Sequence, residues 1–181
     1  YGDHRDLHSF PTRRSSDLPC PFEGRFTLVG NFPYNISSQI LFRILEWRDQ
    51  VEVSVGMFQK EVAVRVASGP GNKDYGILSV LVQAFFKVEY LFDVSEGSFD
   101  PPPKVKSGVI RLTDLGDPWK VGKDYPRLLR LVKAAFGQRR KQLRNPLKPY
   151  FRPEVLQEDI FTRRAEQLSV ADFIDLMHKM P

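Results

Sequence analysis

Between Arg25 and Leu112, short runs rich in β-branched residues alternate with segments of helical periodicity, and this alternation restricts the chain to an α/β sheet. Phe26-Thr27-Leu28-Val29 ends at Gly30 and reads as a buried strand. Ile36, Ile40, Leu41, Ile44 and Leu45 then fall on one helical face, with Asn35 placed to cap it. Val51 to Phe58 carries β-branched residues at alternate positions, a strand pattern. Gln59 to Ala67 reads as a helix stopped by Ser68-Gly69-Pro70-Gly71, and Tyr75 to Phe85 as a buried helix. Phe86 to Val94 and Lys104 to Leu112 are two further strands, separated by Gly97-Ser98-Phe99-Asp100-Pro101-Pro102-Pro103, which is too proline-rich for either element. The succession matches the second half of a doubly wound sheet that ends in an antiparallel hairpin. The first half is expected before Arg25, where the sequence has no room for it.

Asp114 to Gly122 reads as a linker. Helical patterns at 124–136, 138–148 and 169–179 then predict a small all-α subdomain. Charge divides at the same place. Residues 1–118 carry 13 basic and 15 acidic side chains, whereas residues 119–181 carry 14 basic and 7 acidic. From Tyr125 to Pro153 there are nine Lys or Arg and no acid. On a helix, Arg140, Lys141 and Arg144 share an arc of about 100°. Pro146 ends the stripe before Lys148. Charge alone leaves two readings open, a phosphate-contacting face and a solvated one.

The other classes narrow quickly. Residues 1–20 show neither helical nor strand periodicity and crowd Ser, Arg, Asp, Pro and two of the three histidines together. They read as a non-native or disordered leader and are set apart, leaving domains at 21–115 and 116–181. Cys20 is the single cysteine, which excludes an internal disulfide and a multi-cysteine zinc site and fits a reducing cytoplasm. His178 is the one histidine outside the leader, so no metal and no histidine acid–base pair is expected. No run of about 18 apolar residues is present to span a membrane.

The segment with chemistry in it is Gly30-Asn31-Phe32-Pro33-Tyr34-Asn35-Ile36-Ser37, at the carboxyl end of a strand, where open α/β sheets bind ligands. Its residue types suit methylation of an exocyclic amine. That nitrogen is a poor nucleophile because its lone pair is delocalised into the ring. Two acceptors taking its N–H bonds would orient it and favour the tetrahedral form. The Asn31 side-chain oxygen and the Pro33 carbonyl can serve, and proline stiffens the loop. Tyr34 offers a stacking face for a base turned out of its helix. By itself, a capping turn explains the motif equally well.

This loop resembles the N-(L/F)-P-(Y/F) loop of the rRNA adenine N6-dimethyltransferases, most closely the KsgA/RsmA family, whose loop also continues N-I-S. Phe99-Asp100-Pro101-Pro102-Pro103-Lys104-Val105-Lys106-Ser107 resembles the family's F-x-P-x-P-K-V-x-S segment. Phe136-Gly137-Gln138-Arg139-Arg140-Lys141-Gln142-Leu143-Arg144-Asn145 resembles F-x-Q-R-R-K-x-(L/I)-R-N, and Arg164-Ala165-Glu166-Gln167-Leu168-Ser169 resembles R-A-E-x-L-S. The resemblance runs from about Arg25 to the C-terminus. It implies the C-terminal half of a Rossmann-like S-adenosylmethionine-dependent methyltransferase, followed by a helical RNA-binding subdomain. It also implies dimethylation of two neighbouring adenosines near the 3′ end of small-subunit rRNA, on a small-subunit precursor in the cytoplasm, by a monomer. Asn31, Pro33, Tyr34 and Phe99 would act on the base, Asn31 would also touch the methyl donor, and Arg139, Arg140, Lys141 and Arg144 would hold phosphates. Phe99 keeps a second reading as a plug over the core, and Arg164 and Glu166 are expected to tie the last helices together. The family's glycine-rich donor loop belongs before Arg25, so the polypeptide is expected to be an N-terminally truncated form that binds the donor poorly.

Two rivals remain at this stage. One is the antibiotic-resistance type that methylates an adenine of large-subunit rRNA, against which the R-R-K-x-L-R-N and R-A-E-Q-L-S segments weigh. The other is a non-catalytic RNA-binding or ribosome-assembly factor on the same scaffold, against which the intact Asn31–Tyr34 loop weighs.

Overall fold

The computed structural model describes Cys20 and residues 22–181, and in it four strands form one sheet in the order β1-β2-β4-β3. The strands are β1 Phe26–Asn31, β2 Val51–Gln59, β3 Phe86–Val94 and β4 Ser107–Asp114. β1 runs parallel to β2, and β4 enters antiparallel between β2 and β3. The expected antiparallel hairpin therefore closes one edge of the four described strands, with β4 against β2 and β3 outermost. β1 ends two residues later than the apolar run suggested. β4 starts at Ser107 rather than Lys104, and the Lys106 carbonyl before it accepts from the Lys60 N–H instead of a strand partner.

Helices α1 Ser37–Glu46, α2 Lys60–Ala67 and α3 Ile77–Gln83 connect the strands. Their apolar sides meet the face carrying Phe58, Ile110, Leu112 and Phe86, all at most 1% exposed. On the other face Val29, paired with Val55, and Phe92, paired with Val109, stay 73% and 56% exposed. Asn35 does not cap α1. A short 3₁₀ turn at Tyr34–Ile36 comes first, and the Ser37 hydroxyl donates back to the Tyr34 carbonyl at 3.1 Å.

Helices α4 Tyr125–Gly137 and α5 Val170–Lys179 pack on each other and on α3, and one hydrophobic cluster runs from Leu41 through Leu128 to Phe173. Arg48 lies across the seam. Its guanidinium sits 4.9 Å from the Phe85 ring and 5.0 Å from the Tyr125 ring and donates to the Gly122 carbonyl at 2.9 Å. Ser169 caps α5 by accepting from the Asp172 N–H.

The helix expected at 138–148 is absent. α4 ends at Gly137, Gln138 leaves helical geometry, and the next residues turn. The Leu143 N–H donates to the Arg163 carbonyl at 2.9 Å and the Arg144 N–H to the Phe161 carbonyl at 3.1 Å, around an antiparallel bridge of Gln142 with Arg164. Backbone donors that a helix would use internally are thus spent on a distant segment while Leu143 and Leu147 are buried. The common helical arc of Arg140, Lys141 and Arg144 falls with the helix. Apart from Cys20, which is half-buried, the leader 1–20 lies outside the described residues. No helix among the described residues is long and apolar enough to cross a membrane.

Candidate active site

The site end of the sheet follows from the strand directions. Asn31 closes β1, Gln59 closes β2 and Val94 closes β3, while antiparallel β4 begins there. Ser107 pairs with Gln59 on one side and Val94 on the other. The segment after β1 and the Phe99 loop between β3 and β4 therefore leave the sheet at the same end, at the carboxyl ends of its parallel strands.

Phe32 seats the first loop. Its N–H donates to the Met57 carbonyl at 3.1 Å, and its ring lies 5.0 Å from the Phe58 ring. The ring crosses β1 and β2 over two glycines. A Cβ at Gly30 would stand 2.8 Å from Phe32 Cε1, and one at Gly56 2.4 Å from Phe32 Cε2. Only residues without a side chain leave that space.

With Phe32 held down, Asn31 and Pro33 are turned outward and both are exposed. The Asn31 side chain makes no hydrogen bond among the described residues. The Pro33 carbonyl accepts from the Ile36 N–H at 3.3 Å and the Ser37 hydroxyl at 3.4 Å, both long, so it retains capacity for a stronger donor. Tyr34 is half-buried, and its hydroxyl is hydrogen-bonded to that of Ser107. That bond joins the two sequence motifs in space. Phe99 is half-buried after the turn Glu96–Ser98, its N–H donating to the Glu96 carbonyl at 3.3 Å. It makes no ring contact with Tyr34 among the described residues. Asn31, Pro33 and Tyr34 are thus brought together, and Phe99 shares their end of the sheet.

A charged group closes this end. Lys60, the first residue of α2, bonds Asp93 at 2.5 Å, and its N–H donates to the Lys106 carbonyl at 2.9 Å. The Tyr90 hydroxyl donates to the other Asp93 oxygen. The Lys60 bond, and then the Tyr90 bond, hold the Asp93 carboxyl below the usual carboxylate range. Burial, followed by the Asp93 contact, pushes the Tyr90 phenol up to about 12. Neither group is a base for a methylated amine: Asp93 is already paired, and Tyr90 keeps its proton.

The expected phosphate-binding residues are treated unequally. Arg139 is turned inward, with Nε 2.8 Å from a Glu166 oxygen and its guanidinium donating to the Lys73 carbonyl at 2.6 Å. Arg140 and Lys141 are exposed. Arg144 is half-buried, and its Nε is buried with no partner among the described residues. The Gln142–Arg164 bridge brings exposed Arg163 and Arg164 beside them. Glu166 does tie the last segments together, since it pairs with Arg139 and its carbonyl accepts from the Gly71 N–H at 2.7 Å.

Sequence reasoning missed Gly56, Phe58, Lys60 and the role of Ser107. A glycine in mid-strand was the available sign for Gly56, since it marks a close approach. Ser107 had no local sign, because its partner is 73 residues away. No group of three or more potential metal ligands occurs among the described residues. For a methyl donor, the residue the sequence singled out, Asn31, is exposed at the end of β1.

The profile of the family Ribosomal RNA adenine dimethylase matches residues 15–180. The chain is 55% identical over 162 residues to the Ribosomal RNA small subunit methyltransferase A of Bacteroides thetaiotaomicron, covering 88% of this chain and 60% of that protein. It thus spans about 60% of the length of that curated relative. Its fold resembles a crystallised dimethyladenosine transferase of Plasmodium falciparum, with a TM-score of 0.77 at 24% identity over 92% of this chain and 72% of the other. It also resembles the 23S rRNA methyltransferase ErmE, with a TM-score of 0.61 at 24% identity over 88% and 67% of the two chains. At those identities the structures speak for the Rossmann-like methyltransferase fold alone. With the extent of the profile match and the identity to the bacterial relative, the chain belongs to the ribosomal RNA adenine dimethylase family.

Proposed function

We propose that this chain carries the base-orienting loop and the RNA-holding unit of an enzyme that dimethylates N6 of two adjacent adenosines near the 3′ end of small-subunit rRNA. It would act as a monomer on a cytoplasmic precursor of the small ribosomal subunit. One observation carries the reading: the Tyr34–Ser107 hydrogen bond sets a stacking ring and the Phe99 loop beside an exposed Asn31 and an exposed Pro33 carbonyl.

S-adenosylmethionine, when bound, supplies an electrophilic methyl group on a sulfonium. The chain's own residues position the acceptor. The Asn31 side-chain oxygen and the Pro33 carbonyl accept the two N6 hydrogens, which draws the nitrogen lone pair out of conjugation. Tyr34 stacks on one face of the adenine, and Phe99 closes on the other once the loop is filled. Arg140, Lys141 and Arg144 hold phosphates of the rRNA, while Arg139, turned onto Glu166, holds the segment in place.

In a chain extended to the relatives' length, Asn31→Ala should lower methylation about 100-fold or more, because it removes an acceptor aimed at the reacting nitrogen. RNA affinity should stay as it was, since the basic segment is untouched. Equal loss of both would overturn the assignment, full methylation by the variant would take Asn31 out of the reaction, and no methylation by the extended parent would return the protein to a non-catalytic binding role. Calorimetry of the present chain should show no micromolar binding of S-adenosylmethionine. Micromolar binding would mean that donor contacts beyond Asn31 lie within it.

A further inference from the structure

We propose that Ser107 is a positioning residue for base recognition: its hydroxyl fixes the place of the Tyr34 ring and couples it to the loop that carries Phe99. The proposal rests on the base-binding reading of Tyr34.

The two partners of this hydrogen bond are held very differently. Ser107 is fully buried at the start of β4, with Gln59 paired on one side and Val94 on the other. The peptide before it is fixed as well, since the Lys106 carbonyl accepts from the Lys60 N–H at 2.9 Å. Its hydroxyl is therefore a point of known place in the sheet. Tyr34 stands in a turn of three residues and is half-buried, with no ring–ring partner among the described residues. A tyrosine side chain turns about two torsions, and its hydroxyl is the atom farthest from the backbone. That oxygen lies on the axis of the second torsion, so holding it fixes the first torsion and with it the place of the ring, and the in-plane O–H and lone pairs of the phenol favour a ring plane that contains the Ser107 oxygen. Alanine at 107 would leave the backbone of β4 unchanged and release the ring. The same bond ties the turn after β1 to the first residue after the Phe99 loop, so the two stacking candidates share one reference point.

The test uses the present chain and a short RNA hairpin with adjacent adenosines in its loop, one replaced by 2-aminopurine. Fluorescence quenching reports stacking of that base, and anisotropy of an end label reports binding of the RNA as a whole. Ser107→Ala and Tyr34→Phe each remove the bond and keep an aromatic ring at 34. Each should weaken the stacking equilibrium about fivefold, the factor that one net hydrogen bond carries. The double variant should lose no more than either single one. Anisotropy should not change, which a merely structural role for Ser107 would not predict. Ser107→Thr, which keeps the hydroxyl, should recover most of the quenching. If Ser107→Ala fails to fold, Tyr34→Phe removes the same bond from the turn and decides the matter. Quenching unchanged in Tyr34→Phe, or losses that add in the double variant, would overturn the proposal and leave the base-binding reading standing. Absence of quenching by the unaltered chain would overturn that reading and the proposal with it.

Discussion

The turn after β1 and the basic segment after α4 are the two places where family motifs are densest, and they are held by opposite means. The turn is seated by apolar contact: Phe32 lies on Phe58 over Gly30 and Gly56, and a buried serine holds Tyr34. The basic segment is held by its backbone, through the Gln142–Arg164 bridge and the N–H groups of Leu143 and Arg144. The first arrangement fixes side chains to within a ring's width, as the proposed reaction on one nitrogen atom would require. The second fixes the path of the chain and leaves Arg140 and Lys141 exposed, as the proposed contact with a flexible polyanion would require.

The sharpest way to break this contrast is to make the same substitution in both regions. Gly56→Ala places a methyl 2.4 Å from Phe32 Cε2 and 2.7 Å from Phe58 Cε2, and Phe58 is 1% exposed. One ring must leave its place, at a cost of about 1–3 kcal/mol for overpacking. At Gly137, the last residue of α4, a Cβ meets nothing within 4 Å. There the substitution should stabilise by about 0.4–1 kcal/mol, by restricting the unfolded chain. Urea unfolding of both variants reads the two signs directly. A neutral Gly56→Ala would mean that the turn is not seated as described.

The same contrast explains how far the sequence could be read. β1, β2 and β3, and helices α4 and α5, follow from periodicity because their burial is set by neighbours in the same element. The order β1-β2-β4-β3 does not follow, because inserting β4 between β2 and β3 depends on pairings up to 60 residues apart, as between Val53 and Thr113. The segment 138–148 has the composition of a helix, yet its donors are taken by Phe161 and Arg163, which no local pattern reveals. Residue chemistry singled out Asn31, Pro33 and Tyr34 and family resemblance added Phe99, which the structure places at one end of the sheet, whereas Ser107 needed its distant partner to be known. The inward turn of Arg139 was not legible either, because a run of cations does not show which one faces inward.

That last point yields an intermediate effect. Arg139 and Glu166 are only about a third exposed, at 36% and 32%, and Arg139 also donates to the Lys73 carbonyl. Arg139→Ala should cost about 1 kcal/mol of stability, the upper end for a surface pair. Arg140→Ala and Lys141→Ala should each stay within about 0.5 kcal/mol of the parent. In RNA binding the order reverses. Each exposed residue should lower the slope of log affinity against log salt by about 0.7–0.9, the counterion share of one phosphate contact, and Arg139→Ala should leave it nearly unchanged. A slope that falls equally for all three would put Arg139 on the RNA and erase the distinction between the inward and outward cations.

The smallest effect belongs to an ion pair at the same end of the sheet as the turn after β1, Lys60 with Asp93, whose side chains are 42% and 46% exposed. Asp93 is held below the ordinary carboxylate value, first by the Lys60 bond and then by Tyr90. A depressed folded value means that its stabilising contribution is present above the unfolded value, about pH 3.9, and is lost as the pH falls through the folded one. Lys60→Met should therefore flatten the acid side of the stability profile and raise the Asp93 titration midpoint towards its ordinary value, as carboxyl carbon NMR would show. Near neutral pH the unfolding midpoint should scarcely move, because exposed charges this close to water are screened. A large loss at neutral pH would show that the charged group, rather than the Phe32 seat, holds this end of the sheet together.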